Sequence, residues 1–301
     1  MVFTPVKRAI AQSDTLVDQI YAVLILDSLT ITADQNEPDI KSMIAQTIHD
    51  TTFYRAFQRL RRVPFAFTSE LYFFNPDWVP HTYMRSKRIQ HIHDGMRTNE
   101  IIEETIHRDL IDRKGRYRFY TAQMFDRLFL TDKPTPVPTQ WVNSPEDLVV
   151  PDSRMEKYIQ DLKKLLFAPG SRIDLPLMGD KTAIFDEEQR EKYQYKLFLD
   201  TITFPRPVYK FQITSNPVIS DKATIIKELT TVFDQESKQV LNRSYQLAYQ
   251  TLLYQFDVSM FIAVRPTTHG YLPTKITYKG WWNIPFKKPE WCQFDFRIDD
   301  Q

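Results

Sequence analysis

Glycine is nearly missing from this chain: 6 residues in 301, no two closer than nine positions, against 19 prolines. Average usage is roughly 7%. Glycine is what lets a backbone approach a phosphate, turn through positive φ or hinge over a substrate. Its scarcity excludes a P-loop and a Gly-x-Gly-x-x-Gly dinucleotide fingerprint, and no Gly-x-Ser-x-Gly elbow is present. Cysteine is rarer still. A lone Cys292 excludes an internal disulfide framework and any Cys-rich zinc or iron–sulfur site. It suits a compartment that does not use disulfides. Long apolar runs are absent too: residues 20–26 and 258–264 are bounded by Asp27 and Asp257, whereas a membrane helix needs about 20 apolar residues. The first residues, Met1-Val-Phe-Thr-Pro-Val-Lys-Arg8, show neither a secretory hydrophobic region nor a clear transit peptide. With a formal charge of +1 and a pI near 7.8, no global basic field draws in nucleic acid.

Apolar residues recur at helical spacing. Leu16, Ile20, Val23 and Leu24 follow Ser13 or Asp14 as N-cap. Pro38 starts a second helix through Met43, Ile44, Ile48, Phe53, Phe57 and Leu60, which Pro64 ends. Residues 101–111 and 121–130 read as shorter helices. Ser153-Arg-Met-Glu156 is a capping box before Tyr158, Ile159, Leu162, Leu165 and Leu166, with Pro169-Gly170 as the stop. Asp186 caps a helix to about residue 202, and Ser220 or Asp221 opens a helical stretch reaching towards Phe256. Between them, Lys133-Pro-Thr-Pro-Val-Pro138 is polyproline-like, and the stretch 204–213 holds a short strand after its prolines. The expected fold is therefore mainly α: a bundle-like helical body with long ordered Pro-rich loops, a few short strands and an extended aromatic C-terminal tail. Its parts are an N-terminal helical region (1–132), a Pro-rich linker (133–151), a C-terminal helical region (152–264) and the tail (265–301).

Candidate chemistry is thin. His81, His91, His93 and His107 cluster in sequence, and Glu104-Thr-Ile-His107 has the i, i+3 spacing of a di-iron helix. Such a centre needs two of these motifs, and His-Glu-x-x-His is absent. Asp94-Gly95 after the paired histidines reads as a turn. Glu103-Glu104 and Glu187-Glu188 read as solvated helix faces rather than tuned acid–base pairs. No catalytic residue, cofactor site or metal site is expected, and no enzymatic activity.

Arg55, Arg59, Arg61 and Arg62 crowd one helix end, and Arg113, Arg116 and Arg118 interleave with Tyr117 and Phe119. Cations of this kind suit a helix C-terminus, an anionic lipid surface or, interleaved with rings, a nucleic-acid strand. The near-neutral total charge disfavours the last. Aromatic residues, Met and Arg are enriched at protein interfaces. Trp281, Trp282, Phe286, Trp291, Phe294 and Phe296 lie in the proline-punctuated tail, where an extended chain has no core of its own. They, with Arg59, Arg61, Arg62, Arg113, Arg116 and Arg118, are the candidate partner contacts. The segment 71–78 is expected to fold back onto local helices.

In composition the chain resembles lineage-specific accessory subunits of protist mitochondrial respiratory-chain and ATP synthase complexes: helical, aromatic-rich, glycine-poor, near neutral and arm-bearing. The resemblance implies a structural accessory subunit of a large assembly, peripheral to the mitochondrial inner membrane, held by other protein subunits, with anionic headgroup contact and no transmembrane span. A cytoplasmic location is the alternative compartment. The alternative functions are a cytoskeletal or axonemal scaffold and an RNA-associated subunit of an organellar ribosome. Less favoured is an enzyme with a site among the four histidines.

Overall fold

Alternation by two, not by 3.6, governs most of the chain in its computed structural model, which describes residues 39–107, 109–138, 170, 172, 179–219, 223–252, 255–284 and 287–299. In β1 (Phe65–Phe74) every odd residue is buried: Phe65, Phe67, Ser69, Leu71 and Phe73. A strand puts successive side chains on opposite faces, so this pattern builds one apolar face and one wet face.

Ten further strands follow: β2 (Pro80–His93), β3 (Met96–Ile106), β4 (Thr135–Pro136), β5 (Tyr193–Asp200), β6 (Val208–Ser215), β7 (Ile226–Asp234), β8 (Val240–Gln250), β9 (Gln255–Thr267), β10 (Gly270–Asn283) and β11 (Glu290–Ile298). They form one antiparallel sheet in the order β4-β3-β2-β1-β11-β10-β9-β8-β7-β6-β5. The sheet takes strands from both sides of residues 133–151. The C-terminal strand is not at an edge. It sits between β1 and β10, with Phe74 opposite Trp291 and Lys275 opposite Arg297.

Helices cover one face. α1 (Ile40–His49) is capped by Asp39, whose Oδ1 accepts from the Ser42 N–H at 2.7 Å. α2 (Thr52–Leu60) starts on the Asp50 carboxylate, which accepts from Thr52 and Phe53 N–H. α3 (Tyr120–Phe125) runs into a π-helical turn, Asp126–Leu130. α4 (Glu187–Arg190) is a single turn. Phe53, Leu60, Phe125 and Phe129 join the inner-face residues of the sheet in one buried cluster. This is a helix-on-sheet arrangement whose second face is wet along β1, while along β7 both faces are buried from Leu229 to Asp234.

The mainly helical, bundle-like expectation is overturned. Residues 101–106 belong to β3, 193–200 to β5, and the supposed helical stretch from 220 towards 256 holds β7 and β8. Period two contains i, i+4 pairs such as Leu229 and Phe233, which mimic a helical face when the i+3 position is not demanded. The helices read at 13–27 and 153–168 lie outside the described residues. The single helix expected from Pro38 to Leu60 is two, α1 and α2, broken at Asp50–Thr51; 120–130 is helical, and β6 follows the prolines at 205 and 207. Residues 71–74 pair within the sheet rather than folding onto local helices.

Few glycines suffice because side chains turn the hairpins. Asn75 Oδ1 accepts from Asp77 and Val79 N–H, Asp200 Oδ1 from Ile202 and Thr203, Asn216 Oδ1 from Val218, and Asp234 Oδ1 from Glu236 and Ser237. Each is an Asx turn closing a strand. Among the described residues only the β2–β3 turn is a positive-φ pair, Asp94 (49°) and Gly95 (71°), the type I′ geometry that matches strand twist.

One glycine is a packing requirement. A Cβ on Gly280 of β10 would lie 2.5 Å from the Asp257 carbonyl oxygen and 2.7 Å from Val258 Cα. Neither backbone atom can rotate away. Gly280→Ala is expected to lower unfolding free energy by about 2–3 kcal/mol through overpacking, read by urea titration.

Candidate functional site

Antiparallel hairpins deliver their loops alternately to the two ends of a sheet. One end here collects the β1–β2, β10–β11, β8–β9 and β6–β7 loops, which are successive neighbours along the strand order. Two strands separate each from the next, so the tips stand roughly 10 Å apart. These tips expose large apolar side chains: Trp78 (37%) and Val79 (56%) on β1–β2, Leu252 (100%) on β8–β9 and Val218 (90%) on β6–β7. The β10–β11 loop between them carries Lys287 and Lys288. Isolated exposed apolar residues are ordinary. An apolar tip on three of four adjacent loops is a pattern.

Local structure fixes Trp78 in place. Its φ is 58°, a left-handed value uncommon outside glycine, Asn and Asp. The Asn75 side chain holds that turn from both sides, and the Trp78 N–H donates to the Asn75 carbonyl at 3.0 Å. Phe74 packs on the Trp78 ring (centroids 5.3 Å apart), and Lys279 Nζ lies 5.1 Å from its centroid. Behind it on the wet face, Trp281 and Trp291 stack at 6.0 Å and 17°, opposite one another across β10 and β11. Arg85 caps Tyr72 and Tyr83 nearby. The rim thus joins apolar tips, an indole platform and the cations Lys279, Lys287 and Lys288.

Towards β5 the sign changes. A groove of about 470 Å³ is lined by Asp180, Asp186, Glu187, Glu188 and Glu191 with Arg172. Arg172 pairs with Asp180 and Asp186 at 3.2 Å each.

The candidate contacts from the sequence separate cleanly. Trp281 and Trp291 are half-buried on the wet face. Trp282 points inward, its Nε1 donating to Thr121 Oγ1 at 2.9 Å. Phe294 and Phe296 are fully buried beneath Phe125 and Phe129. Phe286 lies outside the described residues. Arg59 donates to the Tyr271 carbonyl at 3.0 Å and lies over Gly270. Arg61 and Arg62 close α2, their N–H groups donating to Gln58 and Arg59 carbonyls. Arg116 pairs with Asp112 at 2.8 Å, Arg118 Nε donates to the Ile111 carbonyl, and Arg113 is exposed beside them. These cations serve a turn and a helix end rather than one continuous basic face.

The histidines are dispersed. His91 pairs with Glu100 at 2.8 Å and His93 with Asp94 at 3.0 Å, both at the far end of β2. His107 faces Thr82 Oγ1, and His81 packs near Phe119. Among the described residues no three His, Cys, Asp or Glu side chains gather as a metal site. Inside, Arg97 donates to the Leu128 carbonyl at 3.2 Å, and burial, with Arg61 nearby, pushes its guanidinium down to about 10. Arg243 lies 4.4 Å over the Phe53 ring with Nε donating to Thr231.

No protein-family profile and no curated protein matches the chain. Among solved structures the chain is similar to a putative outer membrane lipoprotein-sorting protein domain from Vibrio parahaemolyticus at 8% identity, covering 82% of this chain and 92% of that one, TM-score 0.25. It is also similar to a DUF1329 family protein from Desulfovibrio piger at 14%, covering 83% and 94%, TM-score 0.24. A LolA superfamily protein from Nitrosomonas europaea is 10% identical, covering 84% and 96%, TM-score 0.22. At these TM-scores nothing about those proteins' sites or ligands transfers to this one.

The reading as an arm-bearing mitochondrial accessory subunit is overturned. Its physical basis was an extended aromatic tail needing a neighbour, and Gly270–Asn283 and Glu290–Ile298 are two central strands of the protein's own sheet. The respiratory-chain, ATP synthase and mitochondrial inner-membrane assignments fall with the helical, arm-bearing likeness that carried them. The cytoskeletal or axonemal alternative needed the same arms. The ribosomal alternative needed the arginines that Asp112 and local carbonyls engage.

Proposed function

We propose that the protein is a non-catalytic, peripheral binding protein that docks on an anionic bilayer surface through the rim bearing Trp78, Val79 and Leu252. The observation that carries this is the recurrence of exposed apolar tips on adjacent hairpin loops with lysines between them. A water-facing loop gains nothing by presenting Leu252 fully exposed, whereas an interface takes it up favourably in proportion to the apolar area buried. Trp and Tyr suit the headgroup level because each ring has an apolar body and a polar handle. Each lysine near an anionic leaflet adds about 1 kcal/mol, screened within a Debye length. Lys279, Lys287 and Lys288 supply that attraction. The acidic groove near β5 faces repulsion, which tilts the contact towards the β1–β2 and β10–β11 loops.

Co-sedimentation with vesicles tests this. The full chain is expected to pellet with phosphatidylcholine vesicles containing phosphatidylserine, less so at high salt, and weakly with phosphatidylcholine alone. Trp78→Ala combined with Leu252→Ser is expected to weaken binding about tenfold, as roughly 1.4 kcal/mol of lost burial requires. Lys279→Glu with Lys287→Glu and Lys288→Glu should abolish the phosphatidylserine dependence. No pelleting, or pelleting indifferent to these changes, would rule the reading out.

A further inference from the structure

The two edges of the sheet are treated differently. At the β3 side the edge is protected: β4 covers Met96 and Arg97, the register shifts between Lys87 and Arg88, and Glu100 and Glu103 stand exposed. Short covering strands, bulges and edge charges are the devices that stop strand addition. At the other side β5 has no covering strand and no bulge among the described residues, and its one exposed edge charge is Lys196. Its pairing to β6 is unbroken from Tyr193↔Ser215 to Asp200↔Val208, it holds no proline, and no further strand pairs with it among the described residues. Its sequence, Tyr-Gln-Tyr-Lys-Leu-Phe-Leu-Asp, has no strand partner on its outer side among the described residues.

This edge is complementary to itself. Consider an antiparallel pairing of β5 with β5 of a second copy, with the two-fold axis at Phe198. Phe198 then faces Phe198, Leu197 faces Leu199, and Lys196 faces Asp200, each of the last two contacts occurring twice. Residues of like parity meet, so the apolar inner side (Tyr195, Leu197, Leu199) continues into the inner side of the second copy. Lys196 is exposed and enters no ion pair among the described residues. Asp200 Oδ1 accepts from the Ile202 and Thr203 N–H groups, and Lys210 lies near enough to act on the carboxylate. A two-fold contact needs a surface that fits its own copy. Shifting the axis by one residue would oppose Lys196 to Phe198 and lose the charge pairing.

We propose that β5 is a homodimerisation edge, through which two copies join their sheets antiparallel about Phe198. Sedimentation velocity on the full chain over a concentration series tests it. The wild type is expected to show a concentration-dependent monomer–dimer equilibrium. Lys196→Asp or Asp200→Lys alone places like charges opposite each other twice and should weaken the dimer about tenfold. The double exchange, Lys196→Asp with Asp200→Lys, should restore wild-type affinity, a rescue that no loss of folding would produce. Phe198→Lys on the wet face should leave a folded monomer. A wild type monomeric at every concentration overturns the proposal. So does a dimer indifferent to these changes, and so does a double exchange no better than its parents. Vesicle binding by the opposite corner is read separately, so either result stands without the other.

Discussion

Replacing Phe294 by alanine is expected to cost about 4 kcal/mol of unfolding free energy, the middle of the range for a fully buried aromatic. The ring is 0% exposed. It stacks on Phe125 with centroids 3.9 Å apart at 14°, and on Phe129 at 5.8 Å and 18°. Opposite it across the strands stand Leu71 and Tyr278, so the cavity has rigid strands on both sides and cannot collapse. Chemical denaturation followed by tryptophan fluorescence reads the loss. Deleting residues 265–301 carries the same logic further. It removes β10 and β11 from the middle of the sheet and leaves β1 and β9 without the strands between them. The truncated chain is expected to lack cooperative unfolding altogether. A detachable tail would instead leave the remainder folded, so a sharp transition in the truncated chain would refute the central placement.

Glu290 is the second site of large expected effect. It is 6% exposed, and its carboxyl accepts from Tyr120 N–H at 2.6 Å, Thr121 N–H at 2.9 Å and Thr121 Oγ at 2.6 Å. Trp282 Nε1 extends the network through the same hydroxyl. This carboxyl fastens the start of α3, and α3 carries Phe125 onto Phe294. Glu290→Ala strands two N–H groups at that helix start and is expected to cost about 3 kcal/mol, the worth of bonds to an ionised acceptor. Burial holds the Glu290 carboxyl above its ordinary range, with the Thr121 and Tyr120 donors opposing. The folded protein therefore binds this proton more tightly than the unfolded chain. The stability it contributes is full below the ordinary glutamate value and declines as pH rises through the raised one. Glu290→Gln cannot ionise and is expected to flatten that decline between acid and neutral pH. An unchanged pH profile in the glutamine variant would place the titration elsewhere.

Some of this was legible in the residues. Apolar 3–4 spacing between Pro38 and Pro64 marks the helical stretch as one helix, and only the structure shows Asp50 capping a second start that divides it into α1 and α2. The turn at Asp94-Gly95 is written in its dipeptide. The strands hid because polar or small residues occupy their inner faces at intervals: Ser69 in β1, Arg243 in β8, Gly280 in β10 and Glu290 in β11. Each breaks a run that would otherwise alternate visibly. Register shifts at Pro273/Lys275 and Ile226/Glu228 break the phase as well. The signal that was available is the Asx residue at strand ends, Asn75, Asp200, Asn216 and Asp234, doing in this glycine-poor chain what glycine does elsewhere. Of the rim, the rings were visible as aromatics, but Trp281 and Trp282 are neighbours that face opposite sides of the sheet, and only a strand assignment separates them.

By itself the sequence determined the exclusions: no phosphate cradle of glycines, no disulfide framework, no long apolar helix and no dominant charge. Those follow from residue counts and spacings, which no folding alters. The tertiary structure alone decided that β10 and β11 lie at the centre of the sheet, which loops share a rim and which edge strand has no further partner among the described residues. Strand partners are fixed by contacts between residues far apart in the chain, such as Phe67 with Ile298, and local spacing carries no record of them.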